Sequence, residues 1–252
     1  MTKNNKRIRV FINEEVKVKE YLNQLRNNHQ KKEYNVNNVL IIGDLHQPFE
    51  HPLYFEHCKR IRDKYLCGTI VLIGDVLDNH FSSYHEQVVD GMGALDELNK
   101  AISNLEKWHN EFPNAIVTIG NHDRIAVRKA NTSLLSSFWI KDLKDVLKTP
   151  SWTYVTDYQF NNVLYYHGEN STNILSTLQN KRQNIVCGHI HSKHQIQYSA
   201  SEKDLIWGMH VGCGIDIKKY AFEYAKFDLK RPIIGCAVVV GNQPILEPLI
   251  LT

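Results

Sequence analysis

The chain has 252 residues, 42% of them hydrophobic and 23% charged, which is a globular composition and excludes wholesale disorder. No apolar run reaches the roughly 18 residues that a membrane-spanning helix needs, and the first ten residues are polar and basic, so we expect neither a membrane span nor a secretory signal. Five cysteines without CxxC spacing favour a reduced, cytoplasmic chain over a disulfide framework or a zinc ribbon.

The positive charge is concentrated at the start of the chain. Residues 1–36 contain nine Lys and Arg against four Glu, a net charge of +5, whereas the whole chain has only +3. We interpret residues 1–36 as a basic, mostly helical arm in front of a domain that spans residues 37–252. Such an arm could hold DNA or RNA by its phosphates, but a solvated amphipathic helix without a ligand accounts for the same pattern.

Five short apolar runs rich in Val and Ile predict buried strands, and each ends at glycine or histidine next to a polar residue. In open α/β sheets the carboxyl ends of the strands face the ligand, so each strand would deliver a polar side chain to one rim. The runs cover residues 39–42, 70–73, 116–119, 163–166 and 185–187.

Helical periodicity fills part of the sequence between these strands. Apolar side chains recur every three or four positions in residues 91–112 and 132–147, which predicts an amphipathic helix in each. Three later runs are typical of strands, the last two joined by a hairpin turn at Gly241-Asn242. These runs cover residues 206–216, 233–240 and 245–251. The sequence therefore predicts an α/β domain that begins with β-α-β units and ends in antiparallel strands.

The polar residues at the predicted strand ends are carboxylates, imidazoles and one amide, with no thiolate among them. They are Asp44, His46, Asp75, Asp78, Asn121, His122, Asp123, His167, His189 and His191. These donors suit Mn²⁺, Fe, Zn²⁺ or Ni²⁺ better than Mg²⁺ or Ca²⁺, which prefer shells of oxygen alone. Each residue alone would be interpreted as a helix cap, a turn residue or a buried polar group, but their joint occurrence predicts a metal centre.

Five motifs in this order resemble those of the calcineurin-like metallophosphoesterases. They are Asp44-Leu-His46, Gly74-Asp75-Val-Leu-Asp78, Gly120-Asn121-His122-Asp123, His167-Gly168 and Gly188-His189-Ile-His191. One such motif is weak, whereas five in order, each after a predicted strand, are specific. The resemblance covers residues 39–191 and implies a four-layer α-β-β-α sandwich of mixed sheets, with metals between the strand ends.

The resemblance also implies roles for the motif residues, apart from Asp123, which matches the family's acidic position and to which we assign no direct role. His122 would be the general acid that assists the leaving group, and Asp78 would orient it. Two divalent transition-metal ions, Mn²⁺ in our first expectation and Fe, Zn²⁺ or Ni²⁺ otherwise, would share a bridging hydroxide that attacks phosphorus. Seven residues would hold them: Asp44, His46 and His191 the first ion, Asn121, His167 and His189 the second, and Asp75 both.

The substrate is less defined than the chemistry. Protein phosphatases of the Ser/Thr branch carry Arg-Gly after the second aspartate, whereas Asn79-His80 follows Asp78 here, which argues against that activity. Arg124, Asn79 and His80 are our candidate substrate contacts, Arg124 because a guanidinium pairs with phosphate oxygens, although a salt bridge at a helix start explains it equally.

We predict a phosphodiesterase that acts on nucleic acid or nucleotides. The basic arm and the ring-bearing segment 79–85, which could stack on bases, favour this substrate class. A phosphomonoesterase, a dinucleotide hydrolase and a catalytically silent binding module of the same fold are the alternatives. The sequence does not determine the oligomeric state.

Overall fold

The computed structural model describes residues 32–83, 91–219 and 230–251. The chain divides into two units, Met1–Tyr34 and Asn35–Thr252, and all the described helices and strands belong to the second. Most of the predicted basic arm lies outside the described residues, as do positions 84 and 85 of the ring-bearing segment. The arm's helix and its contact with nucleic acid therefore stay predictions.

Eleven strands and five α-helices make up the described part of the domain. The strands are β1 Asn35–Ile42, β2 Cys67–Leu72, β3 Ile116–Thr118, β4 Thr153–Val155, β5 Asp157–Phe160, β6 Val163–Tyr166, β7 Asn184–Cys187, β8 His194–Ala200, β9 Leu205–Val211, β10 Gly235–Val240 and β11 Gln243–Pro248. The helices are α1 Tyr54–Tyr65, α2 Ala94–Glu111, α3 Ile125–Thr132, α4 Leu143–Val146 and α5 Ile174–Lys181.

The strands form two mixed sheets. The first has six strands in the order β11-β10-β1-β2-β3-β4, in which β1 to β4 are parallel and β10 and β11 are antiparallel to their neighbours. The second has five strands in the order β5-β6-β7-β9-β8, parallel from β6 through β9 and antiparallel at both edges. Both sheets thus have a parallel centre, whose strand ends carry the site described below.

Alternating side chains of β1 show how the layers stack. Val39 and Ile41 belong to a buried cluster that the two sheets share, whereas Leu40 and Ile42 pack in a second cluster with α1 and α2. On the far side, Leu178 of α5 packs on the outer face of the second sheet. The layer order is therefore α-β-β-α with mixed sheets, which confirms the predicted fold class.

The prediction of a single helix over residues 132–147 is wrong. Helix α3 ends at Thr132, a 3-10 turn covers Ser137–Trp139, and α4 has only four residues. Serine and threonine break the helix here because their side chains offer the backbone other hydrogen bonds, as Ser136 does for the N–H two residues on. Leu134 also adopts a left-handed backbone conformation with φ of 56°.

The other long predicted elements are confirmed with small shifts. The helix predicted over residues 91–112 is α2, and the hairpin at Gly241-Asn242 joins β10 to β11. Strand β9 ends at Val211, earlier than predicted, because Gly212 turns the chain with φ of 80°. None of the described helices combines the length and the apolar character that crossing a membrane requires.

Candidate metal centre

Two clusters of potential ligands meet at the carboxyl ends of the parallel strands, and Asp75 belongs to both. Within each cluster the ligand atoms lie within 4.8 Å of one another. The first cluster contains Asp44, His46, Asp75 and His191, and the second contains Asp75, His167 and His189. Asn121 joins the second cluster, because its Oδ1 lies 3.0 Å from His167 Nε2. The fold therefore brings all seven predicted ligands together in two groups.

Left-handed backbone conformations place these side chains at the rim. His46, Asp75 and His189 have φ values of 47°, 44° and 64°, which are uncommon for residues other than glycine. Each costs about 1–3 kcal/mol, and such strain clusters at functional sites because the surrounding structure enforces it. Gly74 and Gly168 beside them have φ of 102° and 98°, conformations that glycine adopts without strain.

Two further glycines leave room for the carboxylates. A Cβ atom on Gly188 would lie 2.2 Å from Asp44 Oδ1, and one on Gly120 would lie 2.1 Å from Asp75 Oδ1. Both contacts are far closer than real Cβ atoms approach an oxygen. The glycines of the Gly-Asn and Gly-His motifs are therefore required by the position of the acidic ligands as well as by the turns.

Hydrogen bonds at Nδ1 fix the orientation of two ligand imidazoles. His167 Nδ1–H donates to the carbonyl oxygen of Ile73 at 3.0 Å, which leaves Nε2 facing Asp75 Oδ2 at 3.0 Å. His46 Nδ1–H donates to Asp78 Oδ1 at 2.5 Å, and its Nε2 lies 3.7 Å from Asp75 Oδ2. Metal-bound histidines use the same arrangement, in which a second partner orients the ring and increases its basicity.

The carboxylates and imidazoles shift one another's pKa values. Burial alone would raise the pKa of Asp75, but His167, His122 and His46 outweigh it and hold that pKa well below its usual range. Burial alone would lower the pKa of His167, yet the carboxylates of Asp75 and Asp44 raise it to about 10. A proton on His167 therefore offsets part of the negative charge of this buried cluster, whereas burial and the neighbouring imidazoles lower the pKa values of His46 and His189.

One carboxylate oxygen of the centre has no hydrogen-bond partner among the residues that the structure describes. Asp44 Oδ2 accepts the backbone N–H of His189 at 2.9 Å and lies 3.1 Å from His191 Nε2, whereas Oδ1 is buried without a hydrogen bond within the described residues. Leaving such an oxygen unsatisfied is costly, and a cation would satisfy it. The donor set and this oxygen fit two divalent transition-metal ions held by the two clusters.

His122 is held next to the clusters by backbone contacts. Its N–H donates to Asp75 Oδ1 at 2.8 Å, and its ring Nδ1–H donates to the carbonyl oxygen of Asp78 at 2.5 Å. Burial alone would lower the pKa of His122, but Asp75 and Asp78 raise it above the usual value. The ring therefore favours its protonated form, with Nε2–H left to donate.

Asp78 contacts His122, the residue that we expected it to orient, through its backbone. Its carbonyl oxygen accepts the ring N–H of His122, while its carboxylate accepts the ring N–H of His46. Asn79 accounts for this: its φ of 51° turns the chain, and its side-chain amide donates to the carbonyl oxygen of His122 at 2.8 Å. A third close group of His46, Asp78 and His122 is thus explained by hydrogen bonds.

The three candidate substrate contacts differ in accessibility. Arg124 is 45% exposed and forms an ion pair with Glu169, and its Nε–H donates to the carbonyl oxygen of Gly120 at 3.3 Å. Asn79 is half-buried and bound to His122 as described. His80 is buried against Phe49, which makes it the least accessible of the three. The substrate contacts of all three stay predictions.

Two acidic residues support the site in ways that the sequence analysis missed. Glu97 accepts the backbone N–H groups of His80 and Phe81 at 2.7 and 3.0 Å, and thereby anchors the loop after β2 to α2. Its sequence signal was a carboxylate on the apolar face of the predicted helix, four residues before Ala101. Asp123, to which we assigned no role, accepts the N–H groups of Leu77 and Gly120 and ties two strand exits together.

The contact at Gly188 leads to a first prediction. In Gly188→Ala, the new methyl group displaces Asp44, so the affinity of one cation should fall by about 10–100-fold while the second cation is retained. Isothermal titration of the metal-free protein with Mn²⁺ measures this. Gly93→Ala is the matched control, since its Cβ would lie 3.6 Å from the nearest atom, Asp96 Oδ2. An equal fall in affinity for both cations, or no fall for either, would contradict the assignment of Asp44 to one cation site.

Comparisons with known proteins give several similar solved structures and one matching family model. Similar solved structures include Yfce, a phosphoesterase from E. coli (12% identity, 81% of this chain and 88% of that chain, TM-score 0.42), and nuclease MPE from Pseudomonas putida (13%, 84% and 87%, TM-score 0.35). Vacuolar Protein Sorting 29 from Cryptosporidium parvum is another (11%, 84% and 96%, TM-score 0.40). Likeness at this level indicates neither substrate nor partner, and no curated protein matches the sequence. The family model of calcineurin-like phosphoesterases matches residues 38–217, most of the chain, and the chain therefore belongs to the calcineurin-like phosphoesterase family.

Proposed function

We propose that this protein is a phosphoesterase that uses two divalent cations to hydrolyse phosphodiesters, with nucleic acid or nucleotides as its substrates. The observation that carries the proposal is Asp75, which is shared by both ligand clusters and also holds the backbone N–H of His122. When bound, two cations would neutralise charge on the phosphoryl oxygens and activate a water molecule for in-line attack.

The chain's own contribution to the chemistry is a positioned acid. His122 uses Nδ1 to bond to the carbonyl oxygen of Asp78, so Nε2–H is the atom left to meet the leaving-group oxygen. The raised pKa of His122 favours the protonated ring that a general acid needs. Because Asp75 fixes both the clusters and the backbone of His122, the acid and the cation sites keep a constant relative position.

Two features support a diester over a monoester. No arginine follows Asp78, and the residue there, Asn79, already donates its side-chain amide to the carbonyl oxygen of His122. Arg124, a second possible contact for a dianionic monoester, has its guanidinium paired with Glu169. A polynucleotide also gives a role to the basic arm of residues 1–36, which carries the chain's excess of positive charge.

A substrate panel tests this proposal. With Mn²⁺ present, kcat/KM should be higher for bis(para-nitrophenyl) phosphate than for para-nitrophenyl phosphate, and single-stranded DNA or a cyclic nucleotide should be cleaved. The same protein treated with a chelator should be inactive on every substrate. A preference for the monoester would refute the diester proposal, and inactivity with every metal and substrate would favour the silent binding module.

A further inference from the structure

A cavity of about 840 Å³ adjoins the loop that carries His122. Asn79 and Arg124, which flank His122 through their hydrogen bonds, line one part of it, and Lys141 and Lys144 line another. Between them the walls are largely apolar, and their residues include Leu98, Val127, Val146, Trp152 and Tyr154. This volume is in the range of ordinary ligand pockets, and Asn79, Asp123 and Arg124 in its wall place it next to the loop that carries His122.

The rim of the cavity carries two exposed aromatic rings. Phe138 and Trp139 are 90% and 75% exposed, and they lie between Ser137 and Ile140, which both line the cavity. A single exposed apolar side chain is ordinary, but two adjacent rings at this exposure, with Leu134 at 95% close by in sequence, form a patch. The 3-10 turn that breaks the predicted helix is what presents these rings to solvent.

Two lysines on this rim are available to a ligand. Lys141 and Lys144 form no ion pair with any residue that the structure describes. Of the acidic residues that line the cavity, Asp123 is committed to the N–H groups of Leu77 and Gly120, and Asp142 lies between the two lysines in sequence. Two lysines next to two exposed rings combine the two kinds of contact that single-stranded nucleic acid needs, cations for phosphates and flat surfaces for bases.

We infer that this cavity and its aromatic rim bind single-stranded nucleic acid next to the loop that carries His122. Phe138 and Trp139 stack on bases, while Lys141 and Lys144 contact phosphates. The inference rests on the proposed function where it places the scissile phosphate beside His122. Exposed rings and lysines also occur in loops that enter anionic membranes, but a bilayer gives no role to a cavity that leads to Asn79 and Arg124.

Binding can be measured apart from turnover in the full-length His122→Ala protein loaded with Mn²⁺. Fluorescence anisotropy would follow a labelled oligo(dT) of roughly 16 nucleotides, the upper end of a single-strand site. Trp139→Ala in this background should raise Kd about tenfold. Lys141→Gln with Lys144→Gln should reduce the slope of log K against log salt by about 1.4, the value for two phosphate contacts on a single strand.

Matched controls lie on other parts of the surface. Tyr198→Ala removes another exposed ring, 54% accessible, from β8, and Lys203→Gln removes a lysine from the turn before β9. In the His122→Ala background both should bind the oligonucleotide with unchanged Kd, and with His122 retained both should cleave bis(para-nitrophenyl) phosphate at the unsubstituted protein's rate. Circular dichroism melts of every variant would exclude unfolding as the cause of a weaker interaction.

The outcomes separate this inference from the proposed function. An unchanged Kd and salt slope in both test variants overturn the inference, whatever the protein hydrolyses. Weaker binding in Trp139→Ala, in a chain that cleaves no phosphodiester, supports the nucleic-acid surface and overturns the proposed function. If Trp139→Ala abolishes flotation with vesicles of phosphatidylcholine and phosphatidylserine but leaves the oligonucleotide Kd unchanged, the patch is a membrane contact and the inference fails.

Discussion

Replacing His122 by alanine is expected to lower kcat for a phosphodiester by about 10²–10⁴-fold, the usual contribution of a positioned general acid, and to leave the metal content unchanged. The reason is that the ring and the backbone of His122 make different contacts. Its Nδ1 is bonded to a backbone carbonyl oxygen, and the residue touches Asp75 through its backbone N–H, which alanine retains. Elemental analysis after gel filtration and initial rates with excess Mn²⁺ measure the two quantities separately.

A matched histidine elsewhere controls for this change. His109 is half-buried, is hydrogen-bonded to Ser151 and belongs to neither ligand cluster, so His109→Ala should retain full activity. If His122→Ala loses a cation, or if excess Mn²⁺ restores its turnover, His122 is a ligand. The close group of His46, Asp78 and His122 would then be a metal site rather than a set of hydrogen bonds.

Ligands that come directly after a predicted strand could be identified from the sequence. Asp44 and Asp75 each come directly after a buried strand and a glycine, so the strand direction alone brings them to the same rim. The glycines at these strand ends could also be identified from the sequence, but their contacts with the carboxylates could not. Only the structure shows that Gly120 and Gly188 leave space for oxygens of residues that are distant in sequence.

Contacts between distant loops could not be predicted in this way. Whether Asp78 points to His122 or to His46 depends on where β1 and β3 place those rings, and no pattern around Asp78 records that. The pairing of β1 with β10 joins segments about 200 residues apart, and it is antiparallel although β1 pairs with β2 in parallel. The wrong prediction of a helix over residues 132–147 has a local cause. The prediction followed the apolar spacing, whereas the serine and threonine residues in this segment favour turns.

Asp75→Asn is expected to remove both cations and all measurable phosphoesterase activity. Asp75 is 1% exposed, and its Oδ2 lies 3.0 Å from His167 Nε2 in one cluster and 3.7 Å from His46 Nε2 in the other. Asparagine keeps an oxygen to accept the N–H of His122 but lacks the second anionic oxygen. Losing a shared ligand should weaken both sites by more than the roughly 10–100-fold typical of a residue outside the first coordination shell.

Two aspartates provide the comparison that makes this result specific. Asp123 is also buried, but it bonds only to backbone N–H groups, so Asp123→Asn should keep both cations at a stability cost of about 0.5–1.5 kcal/mol. Asp44 belongs to the first cluster alone, so Asp44→Asn should lose one cation and keep the other. Metal contents of about two, one and zero per chain for Asp123→Asn, Asp44→Asn and Asp75→Asn would identify Asp75 as the shared ligand. If Asp75→Asn keeps one tight site, Asp75 binds a single cation, and the shared position that carries the proposed mechanism is wrong.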